Sequence, residues 1–562
     1  MLENAAHEHF LLRYSVEIED KPIHHHSQTS VLSFFDENNK IISVTRLGFV
    51  TKEEIYSLIE KKEIVNLDSS YVKNFSLSEY RMQQALGDET RIAFKNFSAK
   101  KAFFDCDEEV DFSHSEFDGG KTNFESAAFG NGNINFSNSI FLQGDVSFKK
   151  VKFGDGNLNF QSTRFSNGVV SFHNTNFGAG DVNFRDVNFG DGNVDFKNSI
   201  FGDGEVDFKF SKFGKGEVTF ERTCFGKGHK DFKNVEFGGG KIDFKRIDFN
   251  EGNVSFDGVE FGDGKVSFMS STFGEGIKLF ERADFAKGEV QFDKVNFGTG
   301  SVNFNKARAE NITFRGCHLN CYVDLRFEHC TLVDLSNTIV RDILDVKPES
   351  EKVVILKMKF VDMRILGRIF IDWRSNDVKE LIYNQVKTSL FQKSEQFRIL
   401  KENFHINGQY EDEDAAYLEF KRCESKASLA NALQENKRNA IWAYPTYYFQ
   451  KYVFDFIGRY ATAPTRVLAN CFVAIGVYGL VYFLMTHFLF DVGHVSSSLP
   501  TQLGHVTGFS NCIYYSAITF FTIGYGDYFP EGLLKLFAVF EGFSGVFLMS
   551  YFTVAFVRKI LR

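Results

Sequence analysis

The sequence predicts a multidomain protein in which a long β-solenoid precedes an all-α membrane module. Three observations support this prediction. The chain of 562 residues contains 68 Phe and 46 Gly but only 6 Pro. A twelve-residue unit that carries Phe and Gly recurs through the middle of the chain, and two apolar runs of membrane length follow it. The length is enough for about three or four domains.

The repeat has the form F-G-x-G-x-V-x-F-x-x-x-x, as in FGDGNVDFKNSI (189–200). Its first Phe recurs at every twelfth position from Phe117 to Phe297, and the second Phe follows seven positions after the first, as far as Phe304. Spacings of seven and five match neither the helical period nor the heptad. Short V-x-F strands between Gly-rich corners therefore indicate a solenoid. Its Phe side chains point inward and stack from coil to coil, and its Gly residues relieve the tight bends.

This region resembles pentapeptide-repeat proteins, in which a bulky residue centres each five-residue face of a right-handed quadrilateral β-helix. VDFKN and SIFGD are two such faces, and an extra Gly-x pair completes the twelve-residue unit. Two units per coil, the arrangement we favour, give about 24 residues per coil and a rod of about 36 Å. One unit per coil doubles that length. We assign 101–345 to the solenoid, with 305–345 as degenerate terminal coils.

Segments without the repeat flank the solenoid. Residues 1–100 predict a small α/β cap, because solenoid ends need protection from edge pairing; ligand sensing is the alternative role. Residues 346–443 predict a helical connector. Residues 444–465, which are rich in Tyr and Phe and contain Lys451 and Arg459, with Arg466 directly after them, predict an amphipathic helix at a membrane interface.

The two apolar runs, 467–490 and 533–557, predict membrane-spanning helices. Each is about 36 Å long as a helix, which is enough to cross a hydrocarbon core of roughly 30 Å. The loop between them, 491–532, contains no Lys or Arg. The positive-inside rule therefore predicts a multi-pass protein of the cell (plasma) inner membrane, with both termini and the solenoid in the cytoplasm.

A TIGYGD motif lies between the two runs, directly after the short apolar segment SNCIYYSAITFF. A TxGYGD motif between two transmembrane helices resembles the signature of the two-transmembrane potassium channel pore domain. The fusion to a repeat region resembles pentapeptide-repeat ion-channel proteins. The resemblance implies a pore domain over 466–562, with an outer helix at 466–490, a pore helix at 510–521, a filter at 522–527 and an inner helix at 531–558.

The chemistry of the motif fits potassium as the permeant ion, with no cofactor. A potassium ion must exchange its hydration shell for oxygen ligands without being trapped. Gly524 and Gly526 allow the left-handed backbone angles that direct successive carbonyls the same way. One chain supplies one quarter of each oxygen ring, which predicts a homotetramer. The filter residues are Thr522, Ile523, Gly524, Tyr525, Gly526 and Asp527.

Further site residues come from the inner helix and the pore helix. Gly545 stands where such inner helices carry a hinge glycine. The residues that recur below it at spacings of three, four and four, and that predict the face of the cavity and gate, are Val546, Met549, Thr553 and Val557.

Thr519 and Glu541 are candidates for supporting the filter. Glu541 is an intramembrane carboxylate, which marks a functional candidate by default, and a hydrogen-bonded strut to the pore helix is its alternative role. In many relatives a glutamate of the pore helix stabilises the filter, and Ile518 occupies that position here.

These features predict a potassium channel that is gated through its solenoid by an unknown cytoplasmic ligand or protein. The alternative is a membrane-anchored interaction scaffold whose pore does not conduct or acts only as an effector. No catalytic triad or paired carboxylate stands out, so no enzyme is predicted. The Cys and His residues of 317–330 fit no standard zinc site, and we predict no metal. The net charge of −9 argues against a nucleic-acid partner.

Overall fold

The computed structural model describes residues 13–24, 26–36, 38–105, 108–349, 354–489, 491–498, 504–505 and 508–561. It divides into two compact units, Met1–Gln385 and Val386–Arg562. The first twelve positions of the predicted cap and the last position of the predicted outer helix lie outside the described residues.

The first unit begins with an antiparallel meander that continues into parallel pairing. The third strand of the meander, Ile41–Val50, pairs in parallel with Ser70–Lys73. Ser70–Lys73 in turn pairs in parallel with Phe103–Asp105, which belongs to one side of the solenoid. The elements before the repeat are β1 (Tyr14–Glu19), β2 (Thr29–Phe35), β3 (Ile41–Val50), α1 (Lys52–Glu60), β4 (Ile64–Asn66), β5 (Ser70–Lys73), α2 (Leu77–Gln83) and β6 (Ile92–Ser98).

Each coil of the solenoid consists of two repeat units and has four sides. The amide of Asn157, for example, donates to the side chain of Asn133, which lies one coil and 24 positions earlier. The preferred coil size is therefore confirmed by the register. The pairs that illustrate the four sides, each joining neighbouring coils, are Val170–Val194, Val182–Val206, Asn176–Ile200 and Asn188–Lys212.

Two sides carry continuous ladders of short parallel strands. After β6, the first ladder contains Lys121–Asn123, Asp145–Ser147, Val170–Ser171, Val194–Asp195, Val218–Thr219, Ile242–Asp243, Val266–Ser267, Glu289–Gln291, Arg308–Thr313, His329–Asp334 and Ile355–Lys359. The second ladder contains Glu109–Asp111, Asn133–Asn135, Leu158–Asn159, Val182–Asn183, Val206–Asp207, Lys230–Asp231, Val254–Ser255, Gly276–Leu279, Gly300–Asn303, Tyr322–Asp324, Ile343–Asp345 and Arg368–Phe370.

The other two sides are held by short strands and isolated bridges. The strands of one are Phe103–Asp105, Ala128–Phe129, His318–Leu319, Ile339–Val340 and Arg364–Ile365. The strands of the other are Ser115–Asp118, Ile140–Phe141, Arg164–Phe165, Lys212–Phe213 and Glu236–Phe237.

The parallel pairing begins earlier and ends later than 101–345. β4 already pairs with β6. At the other end, Ile355–Lys359 and Arg368–Phe370 extend both ladders into the segment that the sequence assigns to the helical connector. These coils keep inward apolar residues but lack the Phe and Gly spacing, so the repeat alone did not reveal them.

Phe side chains form the core of the solenoid. Phe196 and Phe220 are one coil apart, and their rings stack with centroids 4.6 Å apart and planes inclined by 3°. Phe196 meets Phe208, from the opposite side of the coil, edge to face at 5.7 Å and 85°. All three side chains are fully buried. Because such pairs add about 0.5–1.5 kcal/mol each beyond the area that they bury, the ladder stabilises every coil against its neighbours.

The glycines of the repeat permit close approach between coils. A Cβ on Gly204 would lie 2.2 Å from the carbonyl oxygen of Gly180 in the preceding coil. A left-handed bend falls two positions after the second Phe of each unit, as at Asn198 (φ 56°) and Phe210 (φ 62°), and some repeat glycines, such as Gly178 (φ 70°), are left-handed as well. The prediction that glycine relieves tight bends is therefore correct for only some of the repeat glycines, and the close approach of the neighbouring coil's backbone is what requires the others.

The second unit is helical. Its helices are α4 (Leu390–Ile406), α5 (Tyr410–Glu435), α6 (Ala440–Phe449), α7 (Pro464–Phe488), α8 (Phe509–Phe520) and α9 (Leu534–Ile560), and α3 (Val378–Tyr383) closes the first unit. A 3₁₀ turn covers Lys437–Asn439, a π-helical segment covers Gln450–Phe456, and three short antiparallel strands cover Val495–Ser497, Gly504–His505 and Tyr528–Pro530.

The predicted interfacial helix, 444–465, differs most from the structure. α6 begins at Ala440 and continues into the π-helical segment, and the chain then turns through three consecutive residues with positive φ, Arg459, Tyr460 and Ala461. Pro464 occupies the first turn of α7, where its missing N–H costs nothing, and so it starts a new helix. α7 and α9 are long and apolar enough to cross a membrane.

Candidate functional site

The TIGYGD segment is attached to the carboxyl end of α8 by backbone hydrogen bonds. The amides of Ile523 and Gly524 donate to the carbonyl of Ile518 at 2.8 and 3.3 Å, and the amide of Thr522 donates to the carbonyl of Thr519 at 3.0 Å. These bonds use helix-end carbonyls that have no partner within a helix. Thr519, a predicted filter support, therefore contacts the segment through its backbone carbonyl. Ile518 does the same.

Left-handed backbone angles alternate along the segment. Thr522, Gly524 and Gly526 have φ of 56°, 57° and 77°, whereas Ile523 and Tyr525 do not have positive φ. The two glycines adopt the angles that the sequence predicts, and Thr522 shares them although threonine rarely does. The side chain of Tyr525 is 70 % exposed in one chain.

The outer end of the segment is held by the loop that follows α7. The Ser498 hydroxyl donates to the carbonyl of Gly526 at 3.0 Å, and the Ser498 amide donates to the carbonyl of Asp527 at 3.0 Å. The neighbouring Ser497 pairs with Tyr528 in an antiparallel ladder. These serines were not predictable from the sequence, because no motif marks a contact between residues almost thirty positions apart.

Glu541 of α9 joins three helices. It is fully buried, and the Tyr482 hydroxyl of α7 donates to its Oε2 at 2.6 Å. The Ser516 hydroxyl of α8 contacts its Oε1 and lies 2.9 Å from the carbonyl of Ile475. Glu541 thus links α9 to α7 and α8 through hydrogen bonds. A carboxylate placed in this way fixes α8, and with it the end of the helix to which TIGYGD is attached.

Gly545 is a contact position between α9 and α8. A Cβ at this residue would lie 1.9 Å from the carbonyl oxygen of Phe520, the last residue of α8. α9 runs through Gly545 without interruption. The structure thus gives this glycine a packing role, and its role as a hinge stays a prediction.

The predicted cavity face of α9 is largely unpacked in a single chain. Val546, Thr553 and Val557 are exposed, and Met549 is half-buried beside Leu548. The opposite face of α9 is buried against the chain's own helices.

The carboxyl-terminal end of α9 is held by α5. Asp414 forms ion pairs with Arg558 at 3.3 Å and with Lys559 at 2.9 Å. The guanidinium of Arg558 also lies over the ring of Tyr417, 4.1 Å from its centroid. The acidic start of α5 therefore binds the basic end of another helix.

α5 also holds the segment that precedes α7. Arg422 donates two hydrogen bonds to Asp455, at 2.8 and 2.9 Å, and these bonds raise the pKa of Arg422 above its usual value. From α9, the Tyr551 hydroxyl donates to the carbonyl of Phe454 and accepts from the amide of Ala461, both at 2.9 Å. The turn of positive-φ residues before α7 is thus stabilised by Tyr551 of α9.

Comparison with known proteins identifies the carboxyl-terminal region. Residues 470–562 match a family model described as an ion channel, and this range contains α8, the TIGYGD segment, α9 and most of α7. No curated protein and no solved structure matches the chain. The chain therefore combines a large parallel β-solenoid with an ion channel domain at its carboxyl-terminal end.

Proposed function

We propose that the protein is a potassium-selective channel formed by four copies of the chain. The observation that carries this proposal is the TIGYGD segment, with its alternating left-handed angles and its attachment to α8 at one end and Ser498 at the other. Preorganised rings of backbone carbonyls replace the hydration shell of a potassium ion. An irregular backbone at membrane depth is tolerated where it lines a wet pathway.

The exposure of the segment supports the assembly of four chains. Residues 522–526 and most of the 546–557 face are exposed in one chain, although they belong to a membrane-spanning unit. A closed fourfold arrangement buries them around a common axis and gives each carbonyl ring four members.

The charge distribution supports a cytoplasmic solenoid. Arg459 and Arg466 lie before and at the start of α7, and Arg558 and Lys559 lie at the end of α9, whereas the loop 491–532 contains no basic residue. Basic residues favour the cytoplasmic side. In this proposal the protein spans the inner, or plasma, membrane of the cell.

Gating through the solenoid is the second part of the proposal. The chain leaves the solenoid and enters α4 and then α5, which binds the end of α9 through Asp414 and the segment before α7 through Arg422. A ligand or protein that binds the solenoid and shifts α5 would move the segment before α7 and the end of α9 together. Such coupling acts through a charge-paired contact that can be tested one residue at a time.

The first experiment compares potassium and sodium flux in liposomes that contain the full-length protein. We expect potassium-selective flux that Gly524→Ala abolishes, because alanine is strained at φ 57°. Gly476→Ala is the matched control, since both glycines have no atom within 4 Å of an added Cβ and Gly476 lies in a helix. A non-selective flux, or equal flux in the two variants, would contradict the proposal. An absence of flux in the full chain and in a 440–562 truncation would favour the scaffold.

The gating hypothesis is tested by Asp414→Asn, with Glu411→Gln, an exposed acidic residue of the same helix, as the control. We expect the first variant to change open probability several-fold in single-channel recordings, because it removes two ion pairs at the end of α9. Identical open probability in the wild type and both variants would show that α5 does not control the gate.

A further inference from the structure

The backbone of the TIGYGD segment lies outside any helix or strand from Ile523 to Asp527. Peptide planes in such a segment lack the repeating hydrogen bonds that fix carbonyl directions in helices and sheets, so neighbouring elements must supply bonds that fix them. At the amino-terminal end these bonds come from α8, whose carbonyls accept from the amides of Thr522, Ile523 and Gly524. The direction of the carbonyls at the other end is set by a different part of the chain.

Ser498, in the loop after α7, contacts that other end through its side chain and its backbone. Its hydroxyl lies 3.0 Å from the carbonyl oxygen of Gly526 and 3.3 Å from that of Asp527. Its amide donates to the carbonyl of Asp527 at 3.0 Å. Because a carbonyl oxygen has two lone pairs, the Gly526 carbonyl can accept from Ser498 and still offer a lone pair to an ion.

The strand before Ser498 is anchored to the end of α7. Val495–Ser497 pairs in antiparallel register with Tyr528–Pro530, which follows the TIGYGD segment. The side chain of Val495 is fully buried, and its amide donates to the Thr486 hydroxyl of α7 at 3.0 Å. Ser498 therefore approaches the segment from a fixed strand.

The same strand is also bonded to the residues that precede α9. The Ser496 hydroxyl donates to Oε1 of Glu531 at 2.8 Å, and the Glu531 amide donates to the carbonyl of His494 at 2.8 Å. These bonds hold the strand on the side away from α7. Its position is thus defined without the Ser498 hydroxyl.

Ser498 differs from the two serines before it in its exposure. The side chains of Ser496 and Ser497 are buried, whereas Ser498 and Gly526 are exposed in one chain. Removing the Ser498 hydroxyl therefore opens no cavity and leaves no buried polar group unpaired. What it removes is the bond that directs the Gly526 carbonyl.

We propose that Ser498 is a positioning residue that sets the selectivity of the channel for potassium over sodium. The inference rests on the proposed function, because it takes the TIGYGD carbonyls as the ion ligands. The Ser498 hydroxyl fixes the peptide plane of Gly526, and so the outermost carbonyls keep their direction in all four chains. Carbonyls that reorient freely adapt to a smaller ion, and discrimination against sodium is lost.

The test measures the permeability ratio of potassium to sodium, from reversal potentials of the full-length protein in planar bilayers with one cation on each side. We expect Ser498→Ala to lower the ratio about tenfold, because each of four chains loses a hydrogen bond. Ser498→Thr keeps the hydroxyl and should stay within about twofold of the wild type. Ser510→Ala, at an exposed serine in the first turn of α8, is the matched control and should leave the ratio unchanged.

Thermal unfolding separates positioning from folding. Ser498→Ala should unfold within about 2 °C of the wild type, because the side chain is exposed. A fall in the ratio that comes with a fall of more than about 5 °C would mean that Ser498 acts through folding, and it would overturn the inference.

The remaining outcomes distinguish this inference from the proposed function. A wild type without potassium-selective current contradicts the proposed function itself. A potassium-selective wild type with the same ratio in Ser498→Ala overturns the role of Ser498 alone. An equal loss of selectivity in Ser498→Thr or in Ser510→Ala would overturn it as well, because the first keeps the hydroxyl and the second leaves Ser498 intact.

Discussion

One chain buries the core of the solenoid completely and that of the channel domain only in part. In the solenoid, Phe196, Phe208 and Phe220 are fully buried by one another, because each coil supplies the surface that covers the next. In the channel domain, Tyr525 is 70 % exposed and Val546 is 55 % exposed. The comparison teaches that a repeat can complete its own packing within one chain, whereas the TIGYGD segment and much of one face of α9 stay uncovered in a single chain.

Glycine permits close backbone approach in both regions, and in the TIGYGD segment it also permits positive φ. In the solenoid, Gly204 permits the approach of the Gly180 carbonyl, and in the channel domain Gly545 permits the approach of the Phe520 carbonyl. Gly524 has open space around it in a single chain and is required for its positive φ instead. Close approach is thus common to both regions, and backbone handedness is decisive in the TIGYGD segment.

The largest effect is expected for Gly545→Ala. Its Cβ would meet a backbone oxygen at 1.9 Å, so α9 and α8 must separate, at a cost of about 3 kcal/mol or more. The variant should lower the thermal midpoint of the protein, measured by size-exclusion chromatography after heating. Gly542→Ala is the control, because its nearest atom is 3.9 Å away, and it should gain up to about 1 kcal/mol in helix propensity. If the two variants were equally stable, Gly545 would not be a packing position.

An intermediate effect is expected for Glu541→Ala. The substitution leaves the hydroxyls of Tyr482 and Ser516 without their carboxylate, which should cost about 2–4 kcal/mol because both groups are buried. Glu541→Gln keeps hydrogen-bonding atoms at the same place and should cost under about 1 kcal/mol. The thermal midpoint and the potassium-to-sodium flux ratio measure the effect. A flux ratio that falls in Ala and recovers in Gln would support the strut, whereas equal behaviour of the two variants would exclude it.

The smallest effect is expected in the solenoid, for Lys230→Met. Lys230 is buried in a ladder position that Val206 and Val254 occupy in the neighbouring coils, and its Nζ donates to the carbonyl of Glu251 at 2.5 Å. Burial lowers its pKa to about 8 from an ordinary value of 10.5. Below pH 8 both the folded and the unfolded states are charged, so the folded state bears the full cost of the buried charge.

As pH rises from 8 to 10.5, the folded protein loses this proton while the unfolded chain retains it, so wild-type stability increases. Lys230→Met should therefore be more stable than the wild type by roughly 2–3 kcal/mol at pH 7, and this advantage should shrink towards pH 10.5. Thermal melting of the β-sheet circular dichroism signal measures it. Lys215→Met, at an exposed position, should show no pH-dependent difference. A constant advantage across this range would mean that folding does not lower the pKa of Lys230.

Features with a local signal were predictable from the sequence. The regular Phe spacing revealed the solenoid, the length and composition of two runs revealed α7 and α9, and the short apolar segment before TIGYGD corresponds to α8. The outer coils at 64–98 and 355–370 were not predictable in the same way. They keep the inward apolar residues that the geometry requires but have lost the spacing that makes a repeat visible.

The sequence by itself determined the order of the modules and the composition of the TIGYGD segment, because a repeat, an apolar run and a short motif are properties of neighbouring residues. Only the tertiary structure decided the coil of two repeat units, the contact of Glu541 with α7 and α8, and the binding of the α9 end by Asp414. Each of these depends on residues far apart in the chain, and their distances are set by how coils and helices pack rather than by any pattern along the sequence.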